Sequence, residues 1–429
     1  MHPEPSRRDL LAAGAAGTLV AALPAAAPAL PARRGTLKVG LVGCGGRGTG
    51  AAMQALRADK DTVLHAVGDM FTDRVDGALM ALAGVKEIAE RVQVPAERRF
   101  FGFDAYQHVI DSGVDVVLLV TPPGFRPQHF EYAVSKGKHV FMEKPVAVDG
   151  PGIRKCLAAA AAASAKNLTV FAGFCWRYDT RMREVFAKIQ EGALGDVITV
   201  HTTYHTGTLS AKKRKPEWTD MEWQLRNWWH FTWISGDHIV EQAVHSVDRL
   251  AWALSDQMPV RCQALGGRQA RQGAESGHAY DHFAVVYEYA DGRRAFHTCR
   301  QIDGCPSDNT DYVYGTQGSA VINGWTPPHS LKDRSGKVTW TSSKEAKDMY
   351  QQEHDELFAG IRSGKVVQHG VQMCNSTLLA IMGRMAAYTG QTITWEQALN
   401  SKEDLLPRQL ELGPIEVPPV AIPGRTKFS

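Results

Sequence analysis

Residues 37–48 read LKVGLVGCGGRG, a short apolar run closed by a cluster of glycines. The run is rich in branched side chains, as a buried parallel strand requires, and AAMQALRAD after it reads as a helix. In such a strand–turn–helix unit the glycines have separate jobs. Gly43 makes the tight turn, Gly45 lets the backbone approach a pyrophosphate, and Gly48 lets helix and strand pack closely. Gly46 and Arg47 complete the turn, and the phosphates meet the helix N-terminus, where amides and dipole favour anions. Glycine turns are common, so the surrounding sequence has to carry the assignment.

It does so in three places. A second strand, VLHAVG at 63–68, ends at Asp69, about twenty residues beyond the last glycine. An acidic group there hydrogen-bonds the ribose hydroxyls of NAD and repels the 2′-phosphate of NADP; the other use of such an aspartate is to cap a helix. VDVVLLV (114–120) leads into Thr121-Pro122-Pro123, and KHVFM (138–142) leads into Glu143-Lys144-Pro145. Strands and helices alternating in this way predict an α/β Rossmann domain, a doubly wound parallel sheet with its ligand at the strand C-termini. Lys144, at such a strand end, can orient a hydroxyl and stabilise alkoxide character as hydride leaves; outside that crevice it would be a surface lysine before a turn.

The run from the glycine turn through Thr121-Pro122-Pro123, His129 and Glu143-Lys144-Pro145 resembles the glucose–fructose oxidoreductase, inositol dehydrogenase and MocA (Gfo/Idh/MocA) family. Glu-Lys-Pro after the fifth strand is the most specific mark, and the likeness extends over nearly everything after residue 34. The resemblance implies NAD as cofactor, held by Gly43, Gly45, Gly46, Arg47, Gly48, Asp69, Thr121, Pro122, Pro123, His129, Glu143 and Lys144. It puts Lys144 beside the nicotinamide and the substrate hydroxyl. It also implies a second, α+β domain on a large, open, mostly antiparallel sheet. The domain division expected is therefore 1–34 as leader, 35–148 as NAD-binding domain, and 149–429 as substrate and oligomerisation domain.

In the second half, PGIRKCLAAAAAASAKN crosses back as a helix and LTVFAGF (168–174) supplies another strand. Trp176 and Arg177 follow on the ligand side, where the resemblance has a segment closing over the cofactor; a packed aromatic with an arginine ion pair reads equally well. Residues 208–233 are irregular, polar and hold five of the ten tryptophans. Flat rings beside polar groups suit the faces of sugars, which makes Trp228, Trp229 and His230 candidate substrate contacts. Oligomer contacts or packing of a long loop would enrich tryptophan as well.

SGDHIVEQAVHSVDRLAWAL (235–254) reads as one amphipathic helix. His238, Glu241, His245 and Asp248 are three, four and three residues apart, so an unbroken helix projects all four from one face. That stripe can be a satisfied structural network, a metal site or an acid/base pair. The resemblance favours the last: His245 as the substrate-side acid/base, since imidazole titrates near neutral pH, with Glu241 where the family has Asp. Ala243 replaces the usual glycine, so the substrate of any one relative does not transfer directly. Strands expected at 260–265, 282–290, 293–302 and 311–324, with turns such as Ala290-Asp291-Gly292, fit an antiparallel sheet. Helices near 347–363 and 372–388 and a Pro-rich tail close the chain, and there is no internal repeat.

Composition is that of a folded protein: 44% apolar and 22% charged residues, with a formal net charge of +3. No block of like charge argues for nucleic acid. The seven cysteines have no metal-ligand spacing and no disulfide lattice, so neither a structural disulfide nor a cysteine metal site is expected. The chain opens MHPEPSRRDLLAAGAAGTLV, with Arg7-Arg8 ahead of an alanine-rich stretch broken by Gly14, Gly17, Pro24 and Pro28. Too weakly apolar for a membrane span, and followed by the small-x-small site Ala27-Pro28-Ala29, it reads as a twin-arginine export signal. The alternative is an alanine-rich leader or an uncleaved anchor.

The expected product is a periplasmic or extracellular oxidoreductase acting on a carbohydrate hydroxyl, loaded with NAD before export and forming a homo-oligomer. With no dinucleotide pool to exchange against, the cofactor would be recycled in place. The resemblance admits two such cycles: a two-substrate oxidoreductase, or an NAD-dependent glycosidase that oxidises, eliminates, hydrates and reduces one substrate. A non-catalytic sugar-binding scaffold is the third reading. A sugar or glycoside and the twin-arginine machinery are the expected partners, and no metal is expected.

Overall fold

The structure, a computed structural model, describes residues 34–429. The expected leader, apart from Arg34, lies outside the described residues. Two sheets organise the chain. The first has six strands: β1 (Leu37–Val42), β2 (Thr62–Asp69), β3 (Arg99–Phe101), β4 (Val116–Leu119), β5 (His139–Met142) and β6 (Val170–Ala172). Their spatial order is β3-β2-β1-β4-β5-β6, and every pairing is parallel. β1, β4 and β5 are almost wholly buried, which is why their sequences read as unbroken apolar runs rather than alternations. The order reverses between β1 and β4, and the turns after these two strands open a crevice at their C-terminal ends. Because Val170–Ala172 pairs with β5, this sheet runs past the boundary expected at residue 148. The helix Gly150–Ala165 belongs to the crossover that delivers it.

The second sheet has nine strands: β7 (Val197–Thr206), β8 (Arg261–Gly267), β9 (His282–Glu288), β10 (Arg294–Gln301), β11 (Thr310–Gly315), β12 (Gly318–Asn323), β13 (Ser330–Asp333), β14 (Val338–Thr341) and β15 (Ile393–Thr394). The order is β14-β13-β12-β11-β7-β10-β9-β8-β15. Only β7 and β10 pair in parallel. The stretch 311–324 is a hairpin of two strands, turning at Thr316-Gln317. β13 and β14 extend the sheet beyond the strands expected from sequence.

The helices Val244–Ala253 and Gly370–Thr389 cover one face of this sheet, where Ala295, His297 and Cys299 of β10 are buried. Among the described residues nothing covers the opposite face, which exposes Leu265, Phe296 and Tyr314. The helix Met349–Ser363 packs back onto Gly46–Ala58, so a late helix of the chain braces the first domain. All seven cysteines are free thiols and six are buried. Among the described residues no helix is long and apolar enough to cross a membrane.

The stretch 208–233 is less irregular than expected. It holds a helix at Asp220–Arg226, a 3-10 turn at Trp228–His230 and a further helical turn at Thr232–Ser235. Met221, Trp223, Leu225, Phe231, Trp233 and Ile234 form a small core of their own, joined by Phe71 and Phe125 of the first domain and by Leu410 and Ile415 of the tail. Most of its tryptophans are therefore used in packing.

Candidate active site

The glycine turn lies at the head of the helix Gly46–Ala58. Gly43 has φ +99°, and a Cβ on it would lie 2.6 Å from the Thr121 amide. A Cβ on Gly48 would lie 1.8 Å from the Gly43 carbonyl oxygen, so only glycine lets this helix approach the strand. Gly45 and Gly46 face open space, with nothing within 4 Å of a Cβ position. Gly45 is the N-cap residue and no side chain caps the helix, as an anion site built from backbone amides requires.

This turn lines a cavity of about 430 Å³. Asp69, Thr121, Pro122, His129, Trp228 and Trp229 line it too, together with Phe71, Tyr106 and Phe125. Asp69 accepts the amides of Cys44 (2.7 Å) and Phe71 (3.0 Å), one on each oxygen. Burial raises its pKa. A carboxylate has about four acceptor sites, so each oxygen keeps a lone pair for a ribose hydroxyl. His129 bonds the Thr121 hydroxyl through Nδ1 (3.2 Å) and stacks on Tyr106, with ring centroids 4.1 Å apart. Burial, then the nearby Arg126, depresses its pKa to about 3, so the ring is neutral.

The Arg47 guanidinium is committed to two carboxylates. Its Nε bonds Glu143 (2.5 Å), its Nη2 bonds Glu353 (2.9 Å), and the guanidinium lies over the Tyr350 ring. Backbone, not side chain, is what Arg47 offers a ligand. Glu143 bonds the backbone amide of Lys144 with its other oxygen (3.0 Å), which links the glycine turn to the Glu-Lys-Pro segment. Glu353, missed in the sequence, carried no local signal, because it sits 306 residues from its partner.

Lys144, Glu241 and His245 do not line this cavity; they lie beyond Trp229, a cavity wall whose indole hydrogen-bonds the Glu241 carboxyl. Lys144 Nζ donates to the Glu241 carbonyl oxygen (2.7 Å) and lies 3.9 Å from its Oε1. That carbonyl is free because the expected helix at 235–254 is broken. Gly236 and Asp237 have φ of +77° and +74°, a short helix spans His238–Glu241, and a second spans Val244–Ala253. At the break both Gln242 and Ala243 donate to the His238 carbonyl (3.0 Å each), the wider reach of a local π-type turn. The break also corrects the expectation of one polar face. His238 packs against Phe283, and neither of its ring nitrogens has a partner. Asp248 accepts Arg177, Gln372 and Ser376. Only Glu241 and His245 remain beside Lys144, and among the described residues no group of three His, Cys, Asp or Glu is placed to hold a metal.

The two acid/base candidates titrate in opposite directions. Burial raises the Glu241 carboxyl, offset by Lys144, Arg126 and the indole of Trp229. Burial pushes the His245 imidazole well below its ordinary range, and the charge of Lys144 adds to this. At neutral pH His245 is an unprotonated base. Trp176 stands edge-on to it, centroids 6.3 Å apart, with the buried Arg249 over the indole's face at 5.2 Å.

Several expected contacts lie elsewhere. Arg177 is committed to Asp248 (2.9 Å) and Asp256 (2.6 Å) and does not line the cavity. The alternative of an arginine ion pair is what the fold uses. Pro123 begins a buried 3-10 turn behind the cavity wall. His230 faces away, its Nδ1 2.6 Å from Arg271 Nη1. Arg271 in turn bonds Gln301, and Gln301 bonds Gln242 (2.6 Å) at the helix break. This buried chain supports the break from behind.

A sequence model described as the oxidoreductase family's NAD-binding Rossmann fold (GFO_IDH_MocA) matches residues 37–174, and one of the GFO/IDH/MocA C-terminal domain matches residues 182–321. The chain belongs to the GFO/IDH/MocA oxidoreductase family. It is thus an NAD-binding oxidoreductase, and the open glycines, the uncapped helix and Asp69 fit that cofactor. Inositol 2-dehydrogenase of Pseudomonas fluorescens is 27% identical over 345 residues, 78% of this chain and 88% of that protein. Inositol 2-dehydrogenase of Rhizobium meliloti is 25% identical over 68% of this chain and 77% of its own length. A levoglucosan dehydrogenase with NADH and levoglucosan shares the fold (TM-score 0.66, 17% identity, 84% of this chain and 99% of that one). So does an aldose–aldose oxidoreductase from Caulobacter crescentus complexed with glycerol (0.65, 19%, 84% and 100%).

Proposed function

We propose that this member of the family is exported with its cofactor and oxidises a hydroxyl of a sugar or glycoside, keeping NAD bound through the cycle. The observation that carries the reading is the Lys144 ammonium held 2.7 Å from the Glu241 carbonyl, beside a neutral His245, behind the cavity wall formed by Trp229. Bound there, NAD supplies a hydride acceptor. Residues 43–48 would hold its phosphates on backbone amides, and Asp69 its ribose. Lys144 spends one of its three N–H donors on Glu241 and keeps the others to orient the substrate hydroxyl. His245 takes the hydroxyl proton, and the positive charge of Lys144 favours the alkoxide that results. Trp228 and Trp229 supply apolar walls on which a sugar ring can lie.

The names of the relatives, inositol and sugar dehydrogenases, support a polyhydroxylated substrate. The uncovered face of the second sheet supports self-association. Arg7-Arg8 and the alanine-rich stretch support twin-arginine export to the periplasm.

One observation favours a second reading, a redox-neutral glycosidase. Burial favours the protonated form of Glu241 and the neutral form of His245, the forms that an acid and a base need. Elimination from a glycoside needs both: a base for the acidified C–H, and an acid for the departing oxygen. Purified protein incubated with glycosides and no added cofactor separates the two. Net hydrolysis without change in nicotinamide absorbance supports the glycosidase, and turnover only with a second sugar supports the oxidoreductase. A denatured sample that releases no dinucleotide overturns both.

A further inference from the structure

Residues 212–229 belong to the second half of the chain, yet Lys212, Leu225, Arg226, Trp228 and Trp229 line the cavity opposite the glycine turn. The segment closes on itself as a unit. The Asn227 side chain accepts the Lys212 amide (2.5 Å) and donates to the Lys212 carbonyl (3.1 Å). Its outer side is held by the Pro-rich tail, where Gly413 accepts the Met221 amide (3.1 Å) and Ile415 accepts the Gln224 side chain (3.2 Å). Its inner side meets the first domain through Arg226. That guanidinium bonds both oxygens of Asp73 (3.1 and 3.3 Å), on the helix that follows β2, and lies 3.8 Å above the Phe71 ring. Phe71 is itself a cavity wall, two residues from Asp69. An intramolecular bond from Arg226 to Glu222 (2.9 Å) sets the guanidinium's direction.

We propose that residues 212–229 form a strap over the dinucleotide, with Arg226 on Asp73 and Phe71 as its latch, and that the latch sets how slowly the cofactor leaves. The fork of Arg226 spans from the strap to the first domain, so a ligand between the glycine turn and the strap leaves only when that span opens. The tail stiffens the strap from outside. This gives a physical route to a cofactor carried through export and never exchanged, and to that extent it rests on the retained-cofactor proposal.

The test measures exchange of bound NAD against excess radiolabelled NAD in the NAD-loaded full chain, for the native protein and for Arg226→Gln, Asp73→Asn and the double variant. Asp73 is half-exposed at the start of a surface helix, so Asp73→Asn removes the latch's acceptor charge without disturbing a core. Each single variant exchanges about fivefold faster, the loss of one partly exposed ion pair, and the double variant is no faster than Arg226→Gln. Melting temperatures measured alongside separate latch loss from unfolding. Native protein that retains NAD with Asp73→Asn retaining it equally overturns the strap. Native protein that exchanges within the mixing time overturns the retained-cofactor proposal instead.

Discussion

At the scale of single residues, Lys144 and His245 are electrostatically linked: burial first, and then the charge of Lys144, keeps the imidazole neutral. Lys144→Met and His245→Ala should each lower kcat by about 10²–10⁴, the usual share of positioned acid–base groups, with a smaller effect on KM. Their combination should cost little more than either alone, as for groups that serve one proton transfer. The Lys144→Met variant carries a second signature. With the neighbouring cation gone, an NMR titration should find the His245 pKa raised relative to the native protein; an unchanged value would place the ammonium too far away to matter. Gly48→Ala is the matching prediction for the cofactor. Its Cβ would meet the Gly43 carbonyl at 1.8 Å, so the turn must shift, costing about 1–3 kcal/mol of stability. NAD affinity measured by titration calorimetry should fall with it, because the displaced turn carries the open glycines that fit a pyrophosphate.

At the scale of elements, the break at Gln242 makes the site. An unbroken helix would spend the Glu241 carbonyl on the amide of His245. Here that amide reaches Gln242 instead, at 3.4 Å, and the freed oxygen takes Lys144. Asp237 maintains the entry to the short helix from a positive φ, accepting the Tyr280 amide (2.7 Å), the Tyr388 hydroxyl (2.5 Å) and the His238 amide (2.5 Å). Asp237→Ala strands those donors and keeps the unfavourable backbone, so it should destabilise by about 2–4 kcal/mol in a denaturant titration. Activity at permissive temperature should fall as well, since Glu241 loses its register against Lys144. The periodicity of 235–254 concealed this break. His238, Glu241, His245 and Asp248 keep helical spacing on both sides of it, and no glycine or proline stands at 242 or 243 to announce a bend. Behind the turn runs the buried chain His230–Arg271–Gln301–Gln242, built from three distant parts of the sequence.

At the scale of the whole molecule, histidine burial predicts the acid response. His129 and His297 are depressed to about 3, and His230, His278, His329 and His369 to about 4, each chiefly by burial. An unfolded histidine titrates near 6.5, so below that pH the unfolded state binds protons the folded state refuses. The stability these groups contribute is complete above about pH 6.5 and is lost as pH falls towards 4, at about 1.4 kcal/mol per pH unit for each proton taken up. Buried carboxyls with raised pKa, Asp237, Glu241 and Asp311 among them, oppose part of this. Calorimetry should show a melting temperature flat near neutrality and falling between pH 6.5 and 4; a melting temperature that rises over that interval would contradict the histidine burial.

The division between sequence and fold follows the range of the interactions. LKVGLVGCGGRG, with Asp69 and Glu143-Lys144-Pro145, determined the parallel sheet, the glycine-lined crevice and the lysine that follows the fifth strand. Each of those depends on local geometry: a strand's apolar run, a turn only glycine allows, a residue at a strand's C-terminal end. Direction was another matter. Arg47 points to Glu353 and Arg177 to Asp248, His230 turns towards Arg271, and the tryptophans divide between packing and cavity wall. A buried charge takes whichever opposite charge the packed chain brings within reach, and that partner stands up to 306 residues away. Spacing along the chain therefore named the chemistry, while the packing of the two sheets, the strap and the tail decided which side chains face it.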